Sequence, residues 1–320
     1  MKKTKWGVLG YARIAQLSGI PAILEAEHGE FYALASRNAE KGKEAQEKFG
    51  CTVVYDTYEA LLEDPQVDAV YVPLPNALHK EWALKAMEKG KHVLCEKPLA
   101  LNAEEVEAMA KASETHGVIL MEAFMYRYTT RMAKVEEILK SGVLGDIRHV
   151  DATFRFFLNR PNTIKMKPEL GGGSLYDVGC YPVNFAGFVY GEAPKDVAVS
   201  ARFQEGVDVA ASVLLTYGNG QTATLHTGFD TVGRNHALIL GTKGSLEIPD
   251  VFLDNAGALT LITDQGTQSL LVEACARYTL EVEDFSQAVL EKRAPKLSLE
   301  ESRRNSAVLD RILAAARTQG

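Results

Sequence analysis

Three side chains in this chain have the types and spacing to move a proton. Lys97 stands where the apolar run 92–95 gives way to Glu96-Lys97-Pro98, and Asp177 and Tyr181 stand four residues apart just after Gly171-Gly172-Gly173. Proline fixes its own φ and pushes the preceding residue away from helical backbone, so Lys97 is aimed rather than left free. A helix through 174–184 would put Asp177 and Tyr181 on one face. A phenol with its ordinary pKa of about 10 is a poor acid in water, but a lysine cation favours the phenolate and makes acid-base work feasible near neutral pH. The competing reading makes Tyr181 a core aromatic and Asp177 a first-turn anchor of its helix.

The elements upstream decide what a lysine at this point would serve. Residues 5–9 read as a buried strand, followed by Gly10-Tyr11-Ala12-Arg13-Ile14-Ala15 and a helical stretch to about Glu27. This is a dinucleotide fingerprint in which Gly10 makes the tight turn, Ala15 lets the helix pack on the sheet, and Ala12 replaces the middle glycine. A second strand, 31–35, ends in Ser36-Arg37 where an acid would take the ribose hydroxyls of NAD. A hydroxyl and a guanidinium suit the 2′-phosphate of NADP instead. NADP(H) is thus the favoured cofactor, with NAD(H) the other candidate.

Strands and helices then alternate: strand 52–55, a helical turn over 58–62, strand 68–72, a helix from about 78 to 89 capped by Gly90, strand 92–95, a helix 102–116 and strand 118–121. Asn102 and Glu105 have the spacing of a capping box. Six strands in this rhythm predict a doubly wound parallel sheet, with ligand chemistry beyond the carboxyl ends of the strands. From Arg148 the pattern changes to β-like runs at 148–157, 196–203, 207–217, 221–229, 235–240 and 245–248, separated by turns such as Gly218-Asn219-Gly220. These predict a mainly antiparallel sheet in an α+β second domain, closed by helices at about 278–290 and 299–316. The expected division is 1–124 for the dinucleotide domain and 125–320 for substrate binding and oligomerisation.

The whole-chain properties exclude several classes of function. With 320 residues the chain is long for one core, which favours two domains. Its composition, 46% apolar and 24% charged without a long apolar span, argues against a membrane protein. The start carries no signal-peptide core, and Cys51, Cys95, Cys180 and Cys275 lack CxxC spacing, so a cytoplasmic enzyme with reduced thiols and no metal site is expected. A net charge of −7 disfavours a nucleic-acid surface.

Taken in order, Gly10-x-Ala12-x-Ile14-Ala15, Ser36-Arg37, Pro75-Asn76-x-x-His79, Glu96-Lys97-Pro98, 122–127 and 171–184 resemble the glucose-fructose oxidoreductase / inositol dehydrogenase (Gfo/Idh/MocA) family over nearly the whole chain. The resemblance implies an N-terminal Rossmann domain, a C-terminal open sheet, and homodimers or homotetramers built across that sheet. It assigns Gly10, Ala12, Arg13 and Ile14 to the pyrophosphate turn, and Ser36 and Arg37 to the adenosine phosphate. Pro73, Leu74, Asn76 and His79 would line the ribose side, and Glu96 and Lys97 the nicotinamide side. It also makes Lys97 the catalytic lysine with Pro98 in cis, and Asp177 the acid supporting the reacting hydroxyl. Tyr181 stands where many members carry histidine, which looks like the branch containing trans-dihydrodiol dehydrogenase and NADP-dependent xylose dehydrogenase. The implied reaction is hydride transfer to or from a sugar, cyclic polyol or dihydrodiol, with a non-catalytic dinucleotide-binding sensor of the same fold as the alternative. Arg127, Arg155, Phe156, Asn159, Arg160, Lys165 and Asn184 are the candidates for contacting a polyhydroxylated substrate.

Overall fold

The computed structural model describes residues 2–160 and 163–318. The chain divides into two compact units, Met1–Met125 with Ala276–Ser302, and Tyr126–Cys275 with Arg303–Gly320. The last of the three divisions falls within the final helix, Leu299–Arg317. The expected continuous second domain, 125–320, is therefore corrected: segment 276–302 returns to the first unit. Its periodicity marks it as a helix but cannot say which core its apolar stripe completes.

The first unit holds a six-stranded parallel sheet built from β1 (Thr4–Leu9), β2 (Gly29–Ala35), β3 (Val53–Tyr55), β4 (Ala69–Val72), β5 (His92–Glu96) and β6 (Leu120–Ala123), in the order β3-β2-β1-β4-β5-β6. The order reverses between β1 and β4, which opens a crevice at their carboxyl ends. Helices start where short polar side chains take the free backbone donors. Asn38 accepts from the Lys41 N–H and Asn102 from the Glu105 N–H. The capping box at Asn102 is only half formed, because the Glu105 carboxylate takes the Leu101 N–H, one residue before the cap. After the helix His79–Glu88, Lys89 holds the cap position and Gly90 follows with φ +70.

The first helix departs from the expected plain α-helix. A π-helical turn, Ala15–Gly19, precedes the α-helix Ile20–Glu25. Gly19 is required there, since a Cβ would lie 2.4 Å from a ring carbon of Tyr71. The returning helix Arg277–Glu291 closes this unit's core beside β1. Phe285 packs on Trp6 at 5.2 Å between ring centroids, and Ser286 takes the Trp6 indole N–H at 3.1 Å and the Thr4 hydroxyl at 3.1 Å.

The second unit holds an eight-stranded sheet of β7 (Ile147–Phe157), β8 (Asp196–Gln204), β9 (Val207–Thr216), β10 (Thr222–Gly228), β11 (Asp230–Gly241), β12 (Gly244–Pro249), β13 (Gly257–Thr263) and β14 (Gly266–Val272). Its order is β14-β13-β12-β11-β7-β10-β9-β8, antiparallel except for β7 with β10. The hairpin β13–β14 was not expected. β14 is an edge strand exposed over most of its length, so its sequence lacks the apolar alternation that marks a half-buried strand. One face, including Val150, Val213, Leu225, Ile239 and Leu246, is buried, with the helix Cys180–Tyr190 on it. The other face exposes Leu214, Leu240, Ile262 and Leu271. No helix of the described residues is long and apolar enough to cross a membrane.

Phe285 is fully buried, so Phe285→Ala removes core contacts from the first unit that no neighbour can restore. A loss of about 3–5 kcal/mol is expected, measured as a lower urea midpoint at unchanged slope. A change within about 0.5 kcal/mol would show that segment 276–302 does not complete this core.

Candidate active site

Gly10 makes the turn after β1, with φ +94 and its N–H on the Ala35 carbonyl at 2.8 Å. A Cβ there would meet the Tyr58 hydroxyl at 3.1 Å and Leu74 at 3.3 Å, so both conformation and space demand glycine. Ala12 and Ile14 are half-buried, Arg13 is exposed, and no side chain caps the helical segment at Ile14. A helix start of this kind, reached through a glycine turn, has backbone N–H groups to offer a pyrophosphate. The residues present therefore fit a dinucleotide.

At the end of β2 the two expected phosphate contacts differ in availability. Ser36 is buried and its hydroxyl donates to the Asn38 carbonyl at 2.9 Å, so it shapes the turn. Arg37 is exposed, with its guanidinium 5.7 Å from the centre of the Tyr58 ring. Of the two, Arg37 is the one with an exposed side chain, while the Ser36 hydroxyl is used within its own turn.

The ends of β4 and β5 are tied together. Pro73 is buried and Leu74 half-buried, and Asn76 opens a 3-10 turn, Asn76–Leu78. His79, expected to line the ribose side, is 0% exposed. Its Nδ1 lies 2.9 Å from the Pro98 carbonyl and its Nε2 2.8 Å from the Leu74 carbonyl. Burial lowers its pKa despite these carbonyls, so the ring is neutral, donates to one of them at a time, and bridges the two turns. The Lys97-Pro98 peptide is cis, as the resemblance implies. Lys97 and Glu96 are half-buried, and the Glu96 carboxylate accepts the Tyr71 hydroxyl at 2.6 Å and the Lys97 N–H at 3.3 Å.

Glu122, at the end of β6, completes this turn and was not singled out from the sequence. It accepts the Leu99 N–H at 2.9 Å and is 3% exposed. Burial pushes its carboxyl up to about 7, against the pull of the Ser302 hydroxyl, the Leu99 N–H and the Lys97 charge.

In the second unit the glycine run leads into a π-helical turn, Leu175–Gly179, and then the α-helix Cys180–Tyr190. Asp177 lies in the π turn and pairs with Lys165. Tyr181 starts the α-helix and is 4% exposed, its ring 5.4 Å from Phe154, 5.6 Å from Phe252 and 5.7 Å from Tyr126. Four rings hold one another's orientation here, and the phenol is set in an apolar wall. Lys165 therefore belongs to the acid, and its ammonium also lies 5.6 Å from the Phe156 ring centre.

The remaining substrate candidates separate by burial. Arg127 and Asn184 are both buried; the Asn184 Oδ1 accepts the Tyr126 hydroxyl at 2.6 Å and an Arg127 N–H at 3.4 Å, while the guanidinium stacks on Phe188 at 4.2 Å. These two residues brace the aromatic wall. Arg155 is bound to Asp230 at 2.6 Å, and Asn159 and Arg160 are exposed. Asp208, missed in the sequence because it lies on β9, holds the glycine run from below. Its Oδ2 accepts the Ser174 hydroxyl at 2.6 Å and the Leu175 N–H at 2.8 Å, and Gly173, φ +121, has no room for a Cβ against its Oδ1. Burial raises Asp208 to about 6.

A glycine turn at the switch of a parallel sheet, with a fixed lysine at the end of β5, defines a nicotinamide-dependent oxidoreductase. The chain belongs to the Gfo/Idh/MocA family. Residues 4–124 match its oxidoreductase domain with NAD-binding Rossmann fold, and residues 132–247 match its C-terminal domain. The chain is 38% identical to D-xylose 1-dehydrogenase (NADP(+)) 2 of Haloferax volcanii, over 98% of this chain and 97% of that protein. It is 31% identical to trans-1,2-dihydrobenzene-1,2-diol dehydrogenase of Xenopus tropicalis, over 97% of each. The crystal structure of a 3-ketoreductase from Actinomadura kijaniata with NADP and TDP-benzene superposes with a TM-score of 0.93 at 32% identity, covering 98% of each chain. These relatives are dehydrogenases and reductases, which favours an enzyme over a sensor.

Asp208 yields a test of how the glycine run is held. Its folded pKa of about 6 exceeds the ordinary 3.8, so the folded state binds its proton more tightly, and stability is lost as pH rises from about 4 to about 6. The loss is at most about 3 kcal/mol. The Ser174 hydroxyl and the Leu175 N–H both reach Oδ2, so Asp208→Asn can keep these two bonds without the charge. Urea unfolding at several pH values should show that variant losing less stability than wild type across this interval. Equal losses would mean that Asp208 does not carry the burden assigned to it.

Proposed function

We propose that the chain interconverts a carbinol and a carbonyl on a sugar, cyclic polyol or dihydrodiol, with NADP(H) as the hydride carrier. The observation that carries the reading is the glycine turn and exposed Arg37 in the same unit as a lysine fixed at the end of β5 by Glu122 and His79. The full-length likeness to an NADP-dependent xylose dehydrogenase supports it. NADP(H), when bound, supplies or accepts hydride at nicotinamide C4.

The chain's own residues handle the proton and the orientation. In the oxidative direction Tyr181, as phenolate, takes the proton of the reacting hydroxyl while hydride leaves the same carbon; in reduction it returns that proton to the alkoxide. Lys97 supplies the positive charge that makes phenolate accessible near neutral pH. Asp177, with its own charge balanced by Lys165, orients the substrate hydroxyl. The apolar ring wall around Tyr181 excludes water from the phenol, which strengthens both the charge effect and the hydrogen bond.

Tyr181→Phe and Lys97→Met are each expected to lower kcat by about 10²- to 10⁴-fold. The measurement is NADPH absorbance against a panel of aldoses, inositols, dicarbonyls and dihydrodiols. Turnover within a few-fold of wild type for both variants, at saturating NADPH, would remove Tyr181 and Lys97 from the chemistry. Arg37→Ala is expected to weaken NADPH binding by roughly tenfold or more while leaving NADH unchanged, since a charge-assisted phosphate contact contributes about 1.5–3 kcal/mol. Tighter binding of NADH than NADPH, insensitive to this substitution, would overturn the cofactor assignment.

A further inference from the structure

The helix Arg277–Glu291 carries an acid that neither packing nor the proposed reaction explains. Glu281 is 2% exposed, and its Oε1 has no hydrogen-bond partner among the described residues. A carboxyl in this position costs stability that an apolar side chain would not. The charged and titratable groups facing it come from three elements. Glu96 approaches from the end of β5, Tyr71 from β4, and Arg277 and Asp284 from its own helix. Tyr278, also on that helix, belongs to the same cluster and bonds to Ser18 of the π turn.

This cluster is built rather than incidental. Tyr71 donates to Glu96 at 2.6 Å, and the π turn places Gly19 where any side chain would collide with the Tyr71 ring. Glu96 also accepts the N–H of Lys97. Two neighbouring carboxyls, one of them fully buried, do not both ionise cheaply. Burial first, then the charge of Glu96, pushes the Glu281 carboxyl well above the usual carboxylate range, with Arg277 opposing.

The sheet order reverses between β1 and β4, and a dinucleotide bound at such a switch would have its nicotinamide half on the β4–β6 side. Glu96 ends β5, on the nicotinamide half. An oxidised nicotinamide ring is a cation and a reduced one is neutral. We propose that Glu281 is a proton-holding residue which, through Glu96, sets the preference of the dinucleotide site between oxidised and reduced cofactor. With Glu281 protonated, the Glu96–Glu281 pair carries one negative charge; with Glu281 ionised it carries two. The second charge favours NADP⁺ and does nothing comparable for NADPH. Binding NADP⁺ therefore releases the Glu281 proton to solvent, and the ratio of NADP⁺ to NADPH affinity rises with pH.

The inference rests on the proposed NADP(H) binding, and its test separates the two. Protein-fluorescence titrations with NADP⁺ and NADPH, from mildly acidic to alkaline pH, should show the affinity ratio rising by roughly tenfold in wild type. In Glu281→Gln the ratio should be flat. Titration of the cofactor 2′-phosphate affects both forms alike and cancels in the ratio. Calorimetry of wild type in two buffers of different ionisation enthalpy should detect proton release with NADP⁺ and less with NADPH; this requires no variant to fold. A flat wild-type ratio, a slope retained in Glu281→Gln, or equal proton counts for the two nucleotides would overturn the role of Glu281 and leave the cofactor assignment standing. Binding of neither nucleotide would overturn both.

Discussion

The turn after β5 is the constraint around which the first unit is arranged. Lys97, Pro98 and Leu99 must leave the sheet in a fixed direction, and three side chains impose it, two of them buried. His79 approaches the Pro98 carbonyl from the β4 side, Glu122 takes the Leu99 N–H from the β6 side, and the Glu96 carboxylate takes the Lys97 N–H. His79 and Glu122 come from the neighbouring strands' ends or the helix after them and Glu96 from β5 itself, so the parallel pairing of β4, β5 and β6 brings them together. A lysine presented by such a turn loses little entropy when it engages a ligand, because its backbone is already held.

Holding it this way costs solvation. Glu122 and Glu281 in the first unit and Asp208 in the second are buried acids, and burial raises all three. Each favours the folded state at lower pH, where it carries a proton, and burdens it at higher pH. Asp64, Asp230 and Glu283 work in the opposite direction. Their hydrogen bonds lower them despite partial burial, so they stabilise the fold above the ordinary carboxylate range and lose that contribution as pH falls. Glu122 and Asp208 hold turns and Glu281 lies on a buried helix face, whereas the second group sits on partly exposed ion pairs and hydrogen bonds.

The local part of this design was legible in the sequence. The six strands of the first sheet, the glycine turn at Gly10 and the placement of Lys97 at a strand end all follow from periodicity and turn chemistry, which act over a few residues. What could not be read depends on partners far along the chain. The role of His79 is set by carbonyls at Leu74 and Pro98, and Asp177 pairs with Lys165, which the sequence left among the substrate candidates because spacing does not decide between them. Asp208 is distant from the glycine run it supports, and nothing in its own strand distinguishes it. The helix Arg277–Glu291 was visible as a helix, yet the core it serves is decided by Phe285 meeting Trp6, a contact no local pattern encodes.

Two π-helical turns show how local irregularity serves these long-range needs. Ala15–Gly19 follows the dinucleotide turn, and Leu175–Gly179 follows the glycine run of the second unit. A π turn admits one extra residue, which shifts the side chains on either side of it relative to one another. In the first unit the shift puts Gly19 over Tyr71, so that the phenol can reach Glu96. In the second, Asp177 falls within the wide turn and pairs with Lys165, while Tyr181 falls beyond it and enters the aromatic wall. An unbroken α-helix would have stacked acid and phenol one turn apart on a single stripe. The inserted residue gives each its own surroundings, and a carboxylate and a phenol need different ones: the first a cation, the second a dry wall that holds its ring and leaves the hydroxyl as its only polar group.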